Sequence, residues 1–196
     1  RSSVTVERAT GVSFRGGGVA GMHHDGGGDV GLGEEGVRLA TAMRHGKWYP
    51  IEPFYRDRAD SARIFKCWVE HRCDTAGSYA YAILPCRNAK QTARTAAKRP
   101  VELLRNDDAC QAVKYGRTVC AVFRRPGSVG TGGLTLRVDA PAVVAIDLRT
   151  KRIAASSPCA SALNVSLSDG KRRRTASLSL PDGDAMQGAT VCGRLK

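Results

Sequence analysis

The side chains best equipped for chemistry are a few Cys, His, Trp and Arg residues. Cys67, His71 and Cys73 stand at even spacings. On an extended strand they share one face, because side chains repeat every second residue. A metal there needs a fourth ligand that the sequence does not announce, so the Cys read as buried thiols or a disulfide, and His71 as a strand-end histidine. No C-x-x-C occurs, which excludes zinc-ribbon and thioredoxin-type sites. The glycine runs Gly16-Gly17-Gly18 and Gly26-Gly27-Gly28 lack the G-x-x-x-x-G-K-[ST] pattern and any strand-then-helix frame, so they are not phosphate loops. Lys171-Arg172-Arg173-Arg174 has the composition of a nuclear signal or a phosphate patch. Ser168-Asp169-Gly170 before it and the alternating Ser177-Leu178-Ser179-Leu180 after it make a solvated hairpin turn the better reading. Asn164-Val165-Ser166 is one N-glycosylation acceptor pattern.

The chain that carries these residues has 196 residues, with 31 Lys and Arg against 18 Asp and Glu, a net charge of +13. Such a charge points to polyanionic partners: nucleic acid, acidic polysaccharide or an anionic membrane surface. Residues 1–100 carry net +6 and residues 101–196 net +7, so along the sequence the charge is spread evenly. No apolar stretch approaches the roughly 18 residues of a membrane-spanning helix, and neither a collagen period nor a heptad run is present. Seven cysteines leave at least one free thiol and do not fix the redox compartment. The chain begins with Arg and has no charged-then-apolar leader, which is expected of a processed product or a piece of something longer.

Three textures follow one another. Residues 1–36 hold eleven of the 22 glycines, a density that weakens strands and marks loops or bulges. Residues 48–81 hold eight of the eleven aromatics and are expected to supply most of the large core. Residues 101–196 are aromatic-poor and rich in Val, Leu, Ala, Ser and Thr. The best helical candidate, 89–98, is Ala-rich and basic with almost nothing large to bury, and reads as a linker ending at Pro100. Strands are expected at 78–84, 118–123, 134–138, 143–148, 162–167, 175–180 and 189–195, separated by turn residues. In Tyr79-x-Tyr81-x-Ile83, large residues alternate with Ala80 and Ala82, so one face carries bulk and the other admits a second layer closely. The pattern is that of an all-β chain built from antiparallel β-sandwiches.

Three segments in fixed order resemble a known family: Gly46-Lys47-Trp48-Tyr49-Pro50-Ile51-Glu52, then Phe65 to Asp74, then Gly77-Ser78-Tyr79-Ala80-Tyr81-Ala82-Ile83-Leu84-Pro85. Together they are similar to the central β-domain of polysaccharide lyase family 8, the hyaluronate, chondroitin AC and xanthan lyases. Val101 to Asp107 and Cys110 to Val113 resemble the lead-in to that family's small C-terminal β-sandwich, and Leu180 to Val191 its last two strands. Glu52 stands where the family has Asn, Arg72 where it has Gly, and Gly28-Asp29 where it has Gly-Tyr.

The resemblance implies an incomplete central sandwich followed by a small C-terminal one. The expected organisation is a Gly-rich, partly irregular start over 1–36, the end of the central sandwich over 19–93, a linker over 94–100 and the C-terminal sandwich over 101–196. It also implies β-elimination on acidic polysaccharide of the hyaluronan, chondroitin or xanthan class, a carbon-oxygen lyase reaction, in an extracellular protein. The family's catalytic Asn, His, Tyr and Arg lie on a preceding helical domain, so no catalytic residue carries over here. The chain alone is expected to be inactive and to serve carbohydrate contact or support of that domain. Trp48, Arg56, Arg58 and His71 are the candidate carbohydrate contacts. No metal, cofactor or membrane is implied. The alternatives are a stand-alone carbohydrate-binding β-sandwich and, as the lesser reading, a basic nucleic-acid-binding protein; the separation of the aromatics from the 171–174 run disfavours the latter.

Overall fold

The structure, a computed structural model, describes residues 3–7, 11–16, 19–24, 27–32, 37–49, 51–55, 59–69, 77–181, 183 and 186–196. Packing divides the chain into two units, Arg1–Lys98 and Arg99–Lys196.

In the first unit, β1 (Ser3–Glu7), β2 (Gly11–Gly16), β3 (Val19–His24) and β4 (Gly27–Gly31) form an antiparallel meander. β5 (Val37–Lys47) and β6 (Ala59–Val69) form a two-stranded sheet among the described residues, and β7 (Tyr81–Leu84) returns beside β4 to give the order β1-β2-β3-β4-β7. Of the glycine-rich start, the described residues are strand apart from the bend at Leu32. The reason shows at Gly28. A Cβ there would stand 2.6 Å from the Thr92 hydroxyl, because α1 (Ala89–Ala97) lies directly on β3 and β4.

That helix replaces the linker expected over 94–100. Its signal is polar rather than apolar. The Asn88 side chain caps the Gln91 N–H at 2.9 Å, and Gln91 Oε1 reaches back to the Arg87 N–H at 2.9 Å, a variant of the capping box. The inward positions are small, Thr92 and Ala96, both buried. The Thr92 hydroxyl donates to the Asn88 carbonyl at 3.3 Å and shares a 2.9 Å hydrogen bond with His23 Nδ1. Val30, Leu84, Cys86 and Ala96 complete a small core under the helix. The helix ends where Arg99 adopts φ 46° and Pro100 follows.

The second unit is a sandwich of antiparallel sheets. The larger has the order β17-β14-β13-β10-β9-β8, from β8 (Val101–Asn106), β9 (Cys110–Tyr115), β10 (Thr118–Phe123), β13 (Ala142–Asp147), β14 (Arg152–Ser156) and β17 (Val191–Arg194). The smaller is β11-β12-β15-β16, from β11 (Gly127–Gly130), β12 (Thr135–Val138), β15 (Ala162–Ser168) and β16 (Arg173–Ser179). Every second residue points inward, and the shared core is aliphatic with a single Phe123. Leu136, Val144, Leu163 and Val119 are fully enclosed. The sheets join at one side, where Thr175 and Lys196 exchange two backbone hydrogen bonds of 3.1 and 3.0 Å. On the other side the Arg105 guanidinium donates to the Ser128 carbonyl at 2.9 Å. Gly193 leaves room where β17 meets β16: a Cβ there would stand 2.7 Å from Leu178 Cδ2, which would have to shift.

The expectation that residues 180–191 form the last two strands is corrected: β16 ends at Ser179 and β17 starts at Val191, so this segment is the connection between them. The Asn164 sequon lies mid-strand on β15, its side-chain amide donating to Asp139 at 2.6 Å, with Ser166 buried.

Four carboxylates hold turns or strand junctions in this unit. Asp107 pairs with the Arg105 guanidinium and accepts from the Ala109 and Cys110 N–H groups. Asp147 accepts from the Arg149 and Thr150 N–H groups, and Asp169 from those of Lys171 and Arg172. Asp139 accepts from the Asn164 backbone and side chain. All four sit below the usual carboxylate range: Asp107 through Arg105 first, Asp147 through the Thr150 N–H, and Asp169 through the Arg172 N–H. At Asp139, burial pulls upward, and the Asn164 hydrogen bonds outweigh it.

Leu136→Ala is expected to lower the unfolding free energy by about 3 kcal/mol in urea titrations, because it opens a cavity in the enclosed core. Val122→Ala, on the outer face, should stay within about 0.5 kcal/mol of the parent. Since the four folded carboxyls lie lower than unfolded ones, the unfolded chain binds more protons at acid pH. Their stabilisation is therefore complete above the unfolded value near 3.8 and is lost as pH falls through the folded values. Thermal melts should show a flat plateau above about pH 5 and a fall below pH 4 that shrinks in an Asp107→Asn/Asp169→Asn variant.

Candidate functional site

The unit of residues 1–98 presents its chemistry on the β5–β6 ribbon. The two strands pair without a register break, from Val37 opposite Val69 to Lys47 opposite Ala59. Along one face Arg38, Ala40, Ala42 and Arg44 stand opposite Trp68, Lys66, Ile64 and Ala62; along the other Met43 and His45 stand opposite Arg63 and Ser61. Arg44, Lys47, Arg63 and Lys66 are exposed, so cations line both faces. The His45 ring nitrogen bonds Ser61 Oγ across the strands at 2.7 Å.

Trp48 follows β5 directly, at the start of the connection. Its ring is 40% exposed, and its indole N–H donates to the Asp60 carboxylate on β6. Its carbonyl accepts from the N–H groups of Ile51 and Glu52, each at 2.8 Å, and a single 3-10 turn, Pro53–Tyr55, follows. Phe54 on that turn is 93% exposed. Of the four predicted contacts, the structure thus places Trp48 on an exposed cationic ribbon; Arg56, Arg58 and His71 lie outside the described residues. Cys67 lies on β6, and Cys73 is likewise outside them.

The expectation that the 48–81 aromatics form the large core is overturned. Trp48, Tyr49, Phe54, Trp68, Tyr79 and Tyr81 are all exposed. The alternation in Tyr79-x-Tyr81-x-Ile83 is real but works the other way: Ala82 and Leu84 face the helix, while Tyr81 and Ile83 stand out from the opposite face. Tyr79 and Tyr81 stack with ring centroids 6.5 Å apart and planes 12° from parallel. β5 and the first part of β6 are absent from the strands expected from sequence. The ribbon's signal is the alternation of Leu39, Thr41 and Met43 with Ala40 and Ala42, ahead of an equally long run after the turn.

Both units are thus built on antiparallel sheets, the first with one short helix against it, the architecture expected of the closing domains of a polysaccharide lyase. Residues 102–176 match the C-terminal β-sandwich domain of polysaccharide lyase family 8. Chondroitinase-AC of Pedobacter heparinus is 26% identical over 113 residues, covering 56% of this chain and 16% of that protein. The solved structure of a chondroitinase AC lyase with its oligosaccharide complexes superposes with a TM-score of 0.83 at 22% identity, over 97% of this chain and 30% of that one. A chondroitin AC lyase of Streptomyces coelicolor A3, in complex with chondroitin sulphate, gives a TM-score of 0.66 at 26% identity, over 84% of this chain and 22% of that one. The match to polysaccharide lyase family 8 rests on residues 102–176, and the chain spans less than a third of the length of these relatives.

Trp48→Phe keeps the ring and removes the indole donor to Asp60. Amide exchange at Ile51 and Glu52, whose bonds to the Trp48 carbonyl shape this turn, should speed up by severalfold while amides of residues 101–196 are unchanged.

Proposed function

We propose that this chain supplies the β-domains of an extracellular lyase that cleaves acidic polysaccharide by β-elimination, and that it holds the glycan rather than cutting it. The observation that carries the reading is the match of residues 102–176 to the family's closing domain. The exposed ribbon, with Arg44 and Lys47 on the strand that leads into Trp48, supports it chemically. An indole face stacks on a pyranose ring while neighbouring cations meet carboxylate or sulfate. Arg56, Arg58 and His71 belong to the same proposed contact set, their positions in sequence bracketing the ribbon's second strand. Elimination needs a placed base, an acid and a group that neutralises the uronate. The reading assigns those to a helical domain outside these residues, and the sugar bound is of the chondroitin or hyaluronan class. A stand-alone carbohydrate-binding sandwich has the same surface chemistry and differs in needing no helical partner.

The 196-residue chain should release no unsaturated product, read by ultraviolet absorbance, from hyaluronan, chondroitin sulfate or xanthan. Immobilised chondroitin sulfate should retain it in a salt-sensitive way, and Trp48→Ala should weaken that binding about three- to tenfold. Product formation by the chain alone, or no retention at low salt, would overturn the reading.

A further inference from the structure

The +13 charge is even along the sequence but uneven in space. In the 101–196 sandwich the strands alternate direction, so turns gather at two ends. One end collects the β9–β10 turn, the β13–β14 turn, the β15–β16 turn and the residues that close β17. Hydrogen bonds tie these pieces together: Leu148 N–H to the Arg117 carbonyl at 2.9 Å, Leu195 N–H to the Lys151 carbonyl at 3.0 Å, and the Thr175–Lys196 exchange. This end carries ten of the fifteen Lys and Arg residues of 101–196, among them Arg117, Arg149, Arg152, Arg172 and Arg194. The opposite end holds Asp107, Asp108 and Asp139 with Arg105, Arg124 and Arg125 among the described residues, so its charge is close to balanced.

Three details make the basic end a built surface. Arg152 and Arg194 stand directly opposite each other on β14 and β17, both exposed, a like-charge pair that costs stability unless an anion bridges it. The end's two turn carboxylates, Asp147 and Asp169, each direct an oxygen to two of their own turn's N–H groups. Among the described residues, the ion pairs of this unit are Arg105–Asp107 and Lys114–Glu102; Arg117 and Arg172 interact with Asp147 and Asp169 through charge alone, and Arg149, Arg152 and Arg194 have no carboxylate at ion-pair distance.

We propose that this end of the second sandwich is a binding surface for an acidic glycan, separate from the β5–β6 ribbon. Guanidinium forks match sulfate and carboxylate groups. The surface is made of turns rather than an element shaped to enter a groove, and Tyr115 is its one exposed aromatic, which suits a sugar chain better than the repeated base stacking of single-stranded nucleic acid. The proposal shares only its class of partner with the proposed function.

The test uses the whole chain with chondroitin sulfate, hyaluronan and a single-stranded oligonucleotide at several salt concentrations. Arg152→Glu places a carboxylate opposite Arg194, so the melting temperature should rise while chondroitin sulfate affinity falls at least fivefold with a shallower salt dependence. Arg149→Glu/Arg172→Glu, confined to turns, should weaken binding at least tenfold and serves if the strand variant misfolds. Unchanged glycan affinity in the folded turn variant overturns the proposal, as does tighter binding of the oligonucleotide than of chondroitin sulfate at equal salt. Loss of binding in Trp48→Ala with none in the basic-end variants rejects this surface and leaves the ribbon reading standing. Loss in the basic-end variants alone does the reverse.

Discussion

The pairing of Thr175 with Lys196 is the constraint on which the second unit turns. Two backbone hydrogen bonds join the end of the six-stranded sheet to the four-stranded one. They set the side on which the sheets converge, and the inward faces then have one arrangement in which Leu136, Leu163, Val144 and Ile146 enclose one another. Gly193 belongs to the same device, since β17 must lie close enough to β16 for the pairing to form. With Arg105 reaching the Ser128 carbonyl on the far side, the sandwich has engaged groups at both lateral margins, where unpaired strand edges would invite association.

The first unit solves the opposite problem. Its helix has no large apolar stripe, so it is held by proximity rather than by area. Gly28 lets Thr92 sit on the sheet, and His23 and Asn88 satisfy that hydroxyl. Composition alone made 89–98 look like a linker because the burial there is of Thr and Ala. The Asn88–Gln91 capping pair was the legible sign. Small residues on two facing elements bury well together, yet neither element looks amphipathic by itself.

Legibility follows how local the deciding physics is. Thr118–Phe123 was readable to the residue, and 143–148 and 162–167 to within one, because alternation and turn chemistry act over a few positions. The aromatic segment was not. Tyr81 and Ile83 announce a two-residue period, but which face is covered depends on a helix that arrives later in the chain. The same holds for charge. Net values of +6 and +7 for the two halves hid the gathering at one end, since antiparallel connection brings Arg117, Arg149, Arg172 and Arg194 together from positions far apart in sequence. The exposure of Trp48 was not legible either, since composition placed the 48–81 aromatics in the core.

The uneven distribution has a kinetic meaning. A body with an excess of cations at one end and nearly balanced charge at the other experiences torque in the field of a polyanion. It turns as it approaches, so the basic end leads before any atom is in contact. A long glycan would then be met in one orientation, and successive encounters along it would begin from the same face. The sandwich in this sense acts as a compass needle as well as a wall, with the aliphatic core keeping its two ends rigidly apart.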